Sequence, residues 1–198
     1  MKQAELDFWA GLVSKGTTNA MANLSQMVGQ EISVASFGLR QVPVAEISHL
    51  MGGPATESIG IYLTISGSAD GHIMLMYDPK IAHQFVDMLM GLAPGTTQVL
   101  GEMEESALGE LGNIVGSAFL NALADATGLT LMPSPPTVMK DMAGALLDVI
   151  TADILLTQDD AFIAQTAFHA QDRTIAGQFF VIPTQSLLQA LLEHRLAA

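Results

Sequence analysis

The residues of this chain best placed to do chemistry lie on one helical segment, Gly101 to Gly128. At 100° per residue, Ser106, Glu110, Asn113, Ser117 and Asn121 share an arc of roughly 80°. Leu108, Leu111, Ile114, Val115, Ala118, Phe119, Ala122 and Leu123 fill the other side, which should be buried. A polar arc is by default the wet face of an amphipathic helix. This one is mostly uncharged, and Gly109, Gly112 and Gly116 run beside it. Each internal glycine costs a helix roughly 1 kcal/mol relative to Ala, so something should offset three of them. Small residues beside a polar stripe would let another backbone approach closely. A carboxylate and a carboxamide three residues apart face the same way.

Other chemistry is poorly represented. The 198 residues include no Cys, which excludes thiolate metal sites, disulfides and a Cys nucleophile. There is no Gly-x-Ser-x-Gly elbow, phosphate-cradling loop with Lys, or dinucleotide fingerprint. His49, His72, His83, His169 and His194 lack paired metal-ligand spacing and read as core or surface residues, so no metal or cofactor of the chain's own is expected. Trp9 reads as a core anchor and Asp159-Asp160 as a hairpin turn. With 20 acidic residues against 7 Lys and Arg, the formal charge of −13 disfavours a nucleic-acid partner. Hydrophobic residues make up 49%, enough for a sizeable core, and charged ones only 14%. The longest uncharged stretch, Thr174 to Leu192, carries Gln178, Pro183, Gln185 and Gln189 and reads poorly as a membrane span. The first residues do not resemble a secretory signal. A soluble, cytoplasmic protein is expected.

The elements that must carry the stripe follow from periodicity and punctuation. Glu5 to Gly29 is predicted helical, Ile32 to Phe37 extended, and Pro43 to Pro54 a short helical turn. Ile59 to Ser66 alternates as a half-buried strand. A turn at Ser66 to Gly71 leads to a strand from His72 to Tyr77. Asp78-Pro79 starts a helix running to about Met90. The order then restarts: helix Gly101–Gly128, extended Leu129–Met132, a turn at Pro133 to Pro136, and a helical or turn-like Thr137–Asp148. Strands are predicted at Ile150–Gln158, Phe162–His169 and Ala176–Ile182, before a last helix from Pro183-Thr184 to about Arg195. Since 198 is twice 99, the expected organisation is one domain, 1–198, built from two related halves, 1–98 and 99–198.

The stripe also fits a signature: Ser or Asp, three residues, Glu, two residues, Asn, twenty-two residues, Pro. Here it reads Ser106, Glu110, Asn113 and Pro136. A chance match in a chain this long is on the order of a few in a thousand. With Gly109-Glu110-Leu111-Gly112-Asn113-Ile114, Met142 to Asp148 and Leu39 to Pro54, the sequence resembles the CheC/CheX/FliY family of response-regulator phosphatases, most closely CheC. Subtracting 99 places Asp7, Gly11, Ser14 and Phe37 at the motif positions of the first half. Only Asp7 fits, so the first site reads as decayed.

The resemblance implies an α/β (α+β) fold with pseudo-two-fold duplication, a largely antiparallel sheet and two long surface helices. It implies a phosphatase acting on the aspartyl phosphate of CheY-like receiver domains in chemotaxis or related two-component signalling. Asn113 would position water, Glu110 would pair with the receiver's Lys, and Ser106, Ser117, Gly109 and Gly112 would flank the contact. Pro136 would shape the neighbouring loop. Mg²⁺ would come with the receiver. The competing expectation is a non-catalytic adaptor that binds CheD or a receiver domain. A homodimer joined through an edge strand such as Ala176–Ile182 is a further possibility.

Overall fold

A computed structural model describes residues 3–49, 53–156, 158–170 and 173–197. Leu50, Met51 and Gly52, part of the family-like segment, lie outside them. The elements run α1 (Gln3–Val28), β1 (Ile32–Pro43), a 3₁₀ turn (Val44–His49), β2 (Glu57–Gly67), β3 (Gly71–Tyr77) and α2 (Pro79–Leu89). They continue with α3 (Glu102–Thr127), β4 (Leu131–Pro133), β5 (Thr137–Met142), α4 (Ala143–Ile154), β6 (Asp160–Ala170), β7 (Arg173–Pro183) and α5 (Gln185–Ala197). All strand pairs are antiparallel, in the order β1-β6-β7-β3-β2-β4, and β5 also pairs with β2. The α+β fold with two long helices is as the sequence predicts.

The sheet is covered on both faces. Side chains of α1, α2, α3 and α5 bury one face through Trp9, Phe85, Leu111, Phe119 and Leu187 against Ile61, Leu63, Leu75 and Phe179. The second face is covered by α4 and the 3₁₀ turn, with Val44, Ile47, Leu146, Leu147 and Ile150 over Met74, Met76, Ile163 and Phe180. The alternation Ile59, Ile61, Leu63, Ile65 therefore marks which residues meet α3, and the intervening Ser58 and Gly60 are buried too. β2 is more than half buried because α4 lies behind it.

Local chemistry explains several boundaries. Asp78 accepts from the Lys80 N–H at 2.8 Å, and Pro79 sits where a helix needs no N–H, so α2 starts there. At the start of α3 the Glu104 carboxylate reaches back to the Gly101 N–H at 2.9 Å. Glu102, Glu104 and Glu105 also face the positive end of its dipole. Gly128 closes the helix at φ 70°, a left-handed conformation that glycine adopts without strain.

Five sequence expectations are corrected. Thr137–Met142 is strand, and helix begins only at Ala143. Ile150–Ile154 is helical rather than strand. The β-branched residues there suggest a strand, but the buried positions of α4 (Ala143, Leu146, Leu147, Ile150, Thr151, Ile154) recur at helical spacing. Asp159-Asp160 consequently joins α4 to β6 and is not a hairpin turn. Ala176–Ile182 lies in β7, between β6 and β3. It is central, so it offers no free edge for a dimer. β1 also runs on past Phe37 to Pro43, through the low-propensity Gly38 and Gln41, because β6 pairs with it along that length. No described helix is long and apolar enough to cross a membrane.

Candidate active site

The signature stripe lies on the outer face of α3. Ser106, Glu110, Asn113 and Asn121 are exposed and Ser117 is half-buried. Among the described residues, no hydrogen bond or ion pair engages the Glu110 carboxylate or the Asn113 amide. Both point their full bonding capacity at solvent. The stiff support beneath them comes from Leu108, Leu111, Val115 and Phe119, all fully buried. Phe119 also meets Phe179 of the central strand edge-on, with centroids 5.3 Å apart.

The glycines have different roles. Gly109 is half-buried with nothing near the position a Cβ would take. Gly112 and Gly116 are buried: a Cβ on Gly112 would collide with Ile61 Cγ2, and one on Gly116 would come within 3.0 Å of Leu63. The close approach that these two permit is to the protein's own β2, so Gly112 is not surface available to a partner. Pro136 lies against the same glycine, its Cβ 3.3 Å from where a Gly112 Cβ would stand.

Pro136 also ends a break in the sheet. β4 and β5 are separated by Ser134-Pro135-Pro136, and proline cannot donate to a ladder. Ser134 closes the gap, its hydroxyl accepting from Thr64 N–H at 3.0 Å and its own N–H reaching Thr64 O at 2.9 Å. In the first half, Phe37 stands within the unbroken β1. Asp7, Gly11 and Ser14 are exposed on α1, and they present neither a carboxylate nor an amide where Glu110 and Asn113 present theirs.

Two buried polar assemblies had no signal in the sequence. Asp87 is buried, and its carboxylate accepts from the N–H groups of Gly95 (2.7 Å), Thr96 (3.2 Å) and Thr97 (2.8 Å). Burial alone would raise its pKa, but the hydrogen bonds from Thr97, Gly95 and Thr96 win and hold it below the usual value. This fixes the loop that leads into α3. On the second sheet face, His72 is buried, with Nδ1 2.9 Å from the Tyr62 hydroxyl and Nε2 3.2 Å from an Asp153 oxygen. The Asp153 contact is close enough for charge attraction but poorly aligned as a hydrogen bond. Desolvation lowers the His72 pKa, against the opposing pull of Asp153 and Asp70.

The arrangement has recognisable relatives. By fold, the chain superposes on Thermotoga maritima FliY with a TM-score of 0.73, at 19% identity, covering 98% of this chain and 96% of that one. It superposes on a chain of the CheX–CheY–BeF3–Mg²⁺ complex from Borrelia burgdorferi with a TM-score of 0.57, at 17% identity, covering 87% and 97%. These likenesses define the class: the fold shared by CheC-, CheX- and FliY-type proteins. Sequence narrows it. A model described as the CheC-like family matches residues 103–139, the span from the start of α3 through Pro136 into β5. The Bacillus subtilis (strain 168) protein named CheY-P phosphatase CheC is 26% identical over 96% of this chain and 93% of its own length. The signature residues Ser106, Glu110, Asn113 and Pro136 all fall within the matched segment.

Proposed function

We propose that this chain is a phosphatase that hydrolyses the aspartyl phosphate of a CheY-like receiver domain in the cytoplasm, ending a chemotactic or related signal. The observation that carries this reading is the pair Glu110 and Asn113, side by side and unengaged on a rigid helix, within the segment that matches the CheC-like family. Aspartyl phosphate is an activated acyl phosphate, so the phosphatase has little covalent work to do. Water attacks phosphorus, and the bond to the aspartyl oxygen breaks. Inorganic phosphate and a free carboxylate leave, with the proton passing to the phosphate. The Asn113 amide both donates and accepts, which suits it to hold that water in line. A carboxylate at that point would repel the phosphate, so Glu110 serves instead to pair with the receiver's Lys and set the docking register. The receiver brings its own Mg²⁺.

We also read the chain as one domain of two related halves, 1–98 and 99–198. In support, α1 and α3 differ by 99 at both ends, and Asn19 donates to the Ala118 carbonyl, 99 positions on, at 3.0 Å. The first half then keeps the helix and not the chemistry.

Single substitutions separate the two roles. Asn113→Ala should lower kcat for phosphorylated receiver on the order of 100-fold with KM little changed. Glu110→Ala should act mainly on KM. Full activity in the Glu110→Ala/Asn113→Ala double variant refutes the assignment. The alternative, an adaptor for CheD or a receiver, predicts binding without turnover in the wild type. A single-turnover assay on phosphorylated receivers, with and without CheD, distinguishes it.

A further inference from the structure

The strand that borders β2 breaks beneath the motif turn of α3, and the break has a defined construction. Ile65 pairs with Pro133 and Tyr62 with Thr137, so Ser134, Pro135 and Pro136 face only Leu63 and Thr64. The outer strand thus carries one extra residue, a β-bulge. Bulges re-aim neighbouring groups and recur beside active sites. The prolines at either end of this one lie against α3. Pro136 Cβ is 3.3 Å from where a Gly112 Cβ would stand, and Pro133 Cβ is 3.9 Å from where a Gly116 Cβ would stand. Asn113 belongs to the turn between those two glycines. The height and tilt of that turn therefore depend on where the bulge sits.

Proline has no N–H with which to hold a bulge in place, and Ser134 supplies the missing bonds. Thr64 N–H donates to its hydroxyl at 3.0 Å, and the Ser134 N–H donates to the Thr64 carbonyl at 2.9 Å. The hydroxyl in turn donates to the Pro135 carbonyl at 3.1 Å. One side chain thus ties the bulge both to β2 and to itself. We infer that Ser134, a residue outside the signature, is a positioning residue for Asn113: by clamping the bulge to Thr64 it fixes the prolines on which the carboxamide-bearing turn of α3 rests. The role rests on the phosphatase reading of Asn113. Holding water in line with phosphorus tolerates little displacement, so a small shift of that turn costs turnover before it costs binding.

The test uses the full chain, a phosphorylated CheY-type receiver for turnover and the same receiver loaded with beryllofluoride and Mg²⁺ for binding. Ser68 supplies a matched control. Its hydroxyl accepts from Thr130 N–H at 3.0 Å and its own N–H reaches the Thr130 carbonyl at 2.8 Å, the same pair of bonds past the far end of α3. Ser134→Ala and Ser68→Ala should each lower Tm slightly. Only Ser134→Ala should lower kcat, by about 10-fold, with KM and Kd unchanged. Ser134→Thr keeps the hydroxyl and should restore kcat. In isotope-labelled protein, the amide signals of Gly112, Asn113 and Gly116 should shift in Ser134→Ala and hold in Ser68→Ala. Wild-type kcat in Ser134→Ala, equal losses in the two Ala variants, or unshifted amide signals overturn the inference. Asn113→Ala is run in parallel: full activity there overturns the phosphatase assignment, while the amide signals still report whether Ser134 sets the turn.

Discussion

At the scale of single residues, the candidate site and its support use opposite electrostatic strategies. Glu110 and Asn113 keep their polar groups in solvent. Asp87 spends its carboxylate internally, on three N–H groups of the loop at Gly95 to Thr97. Asp87→Asn exchanges one acceptor oxygen for a donor facing those N–H groups. It should destabilise the protein by about 1–3 kcal/mol, measured by urea denaturation at pH 7. The wild-type pH dependence has a defined sign. A carboxylate held below its ordinary value of 3.8 stabilises the folded state above that pH, and the stabilisation is lost as pH falls through the lower folded value. Asp87→Asn should remove that part of the acid limb.

At the scale of elements, α3 is defined by what its glycines face. Gly109 opens to solvent, whereas Gly112 meets Ile61 and Pro136. The same substitution should therefore have opposite effects one turn apart. Gly109→Ala should stabilise by about 0.5–1 kcal/mol through helix propensity, raising Tm. Gly112→Ala drives a methyl into a β-branched side chain that cannot swing away. It should cost about 1–3 kcal/mol and shift the face that carries Glu110 and Asn113, lowering Tm and activity together. If Gly112→Ala is as stable as wild type, the helix is not held to β2 as described. The broken pair β4 and β5, where the first half has continuous β1, has the same logic. Two prolines give up ladder hydrogen bonds, and the loop they form comes to rest on Gly112.

At the scale of the whole molecule, two helical layers enclose one sheet, and the polar contacts of the second layer give the fold a pH response. His72 on β3 is buried beneath α4, and burial keeps its imidazole below the ordinary 6.5. The folded state then binds fewer protons than the unfolded chain. Stability is full above about 6.5 and declines as pH falls from there toward the lowered folded value. His72→Gln should flatten this part of the stability–pH curve, read as urea midpoints between pH 7.5 and 5.5, and leave the Asp87 limb in place. An unchanged slope between those pH values shows that His72 is not the group responsible.

Much of the site was legible in the sequence, because a helix converts spacing into direction without reference to anything else. Ser106, Glu110 and Asn113 had to share a face once Gly101–Gly128 was helical, and the apolar residues opposite are buried except for the half-buried Ile114. Asp78-Pro79 and Gly128 mark helix ends by local chemistry alone. The neighbours of that helix were not legible, since they depend on contacts between distant segments. Whether Gly112 faced a partner or the protein's own β2 turned on the position of Ile61. Whether Ile150–Ile154 was strand or helix turned on the second sheet face, which needed a cover. Whether Ala176–Ile182 was edge or centre turned on the pairing of β7 with β3. The sequence by itself determined which groups stand together on α3; only the tertiary structure decided what lies beneath and beside them, because packing and strand order are set by surfaces that meet across the whole chain.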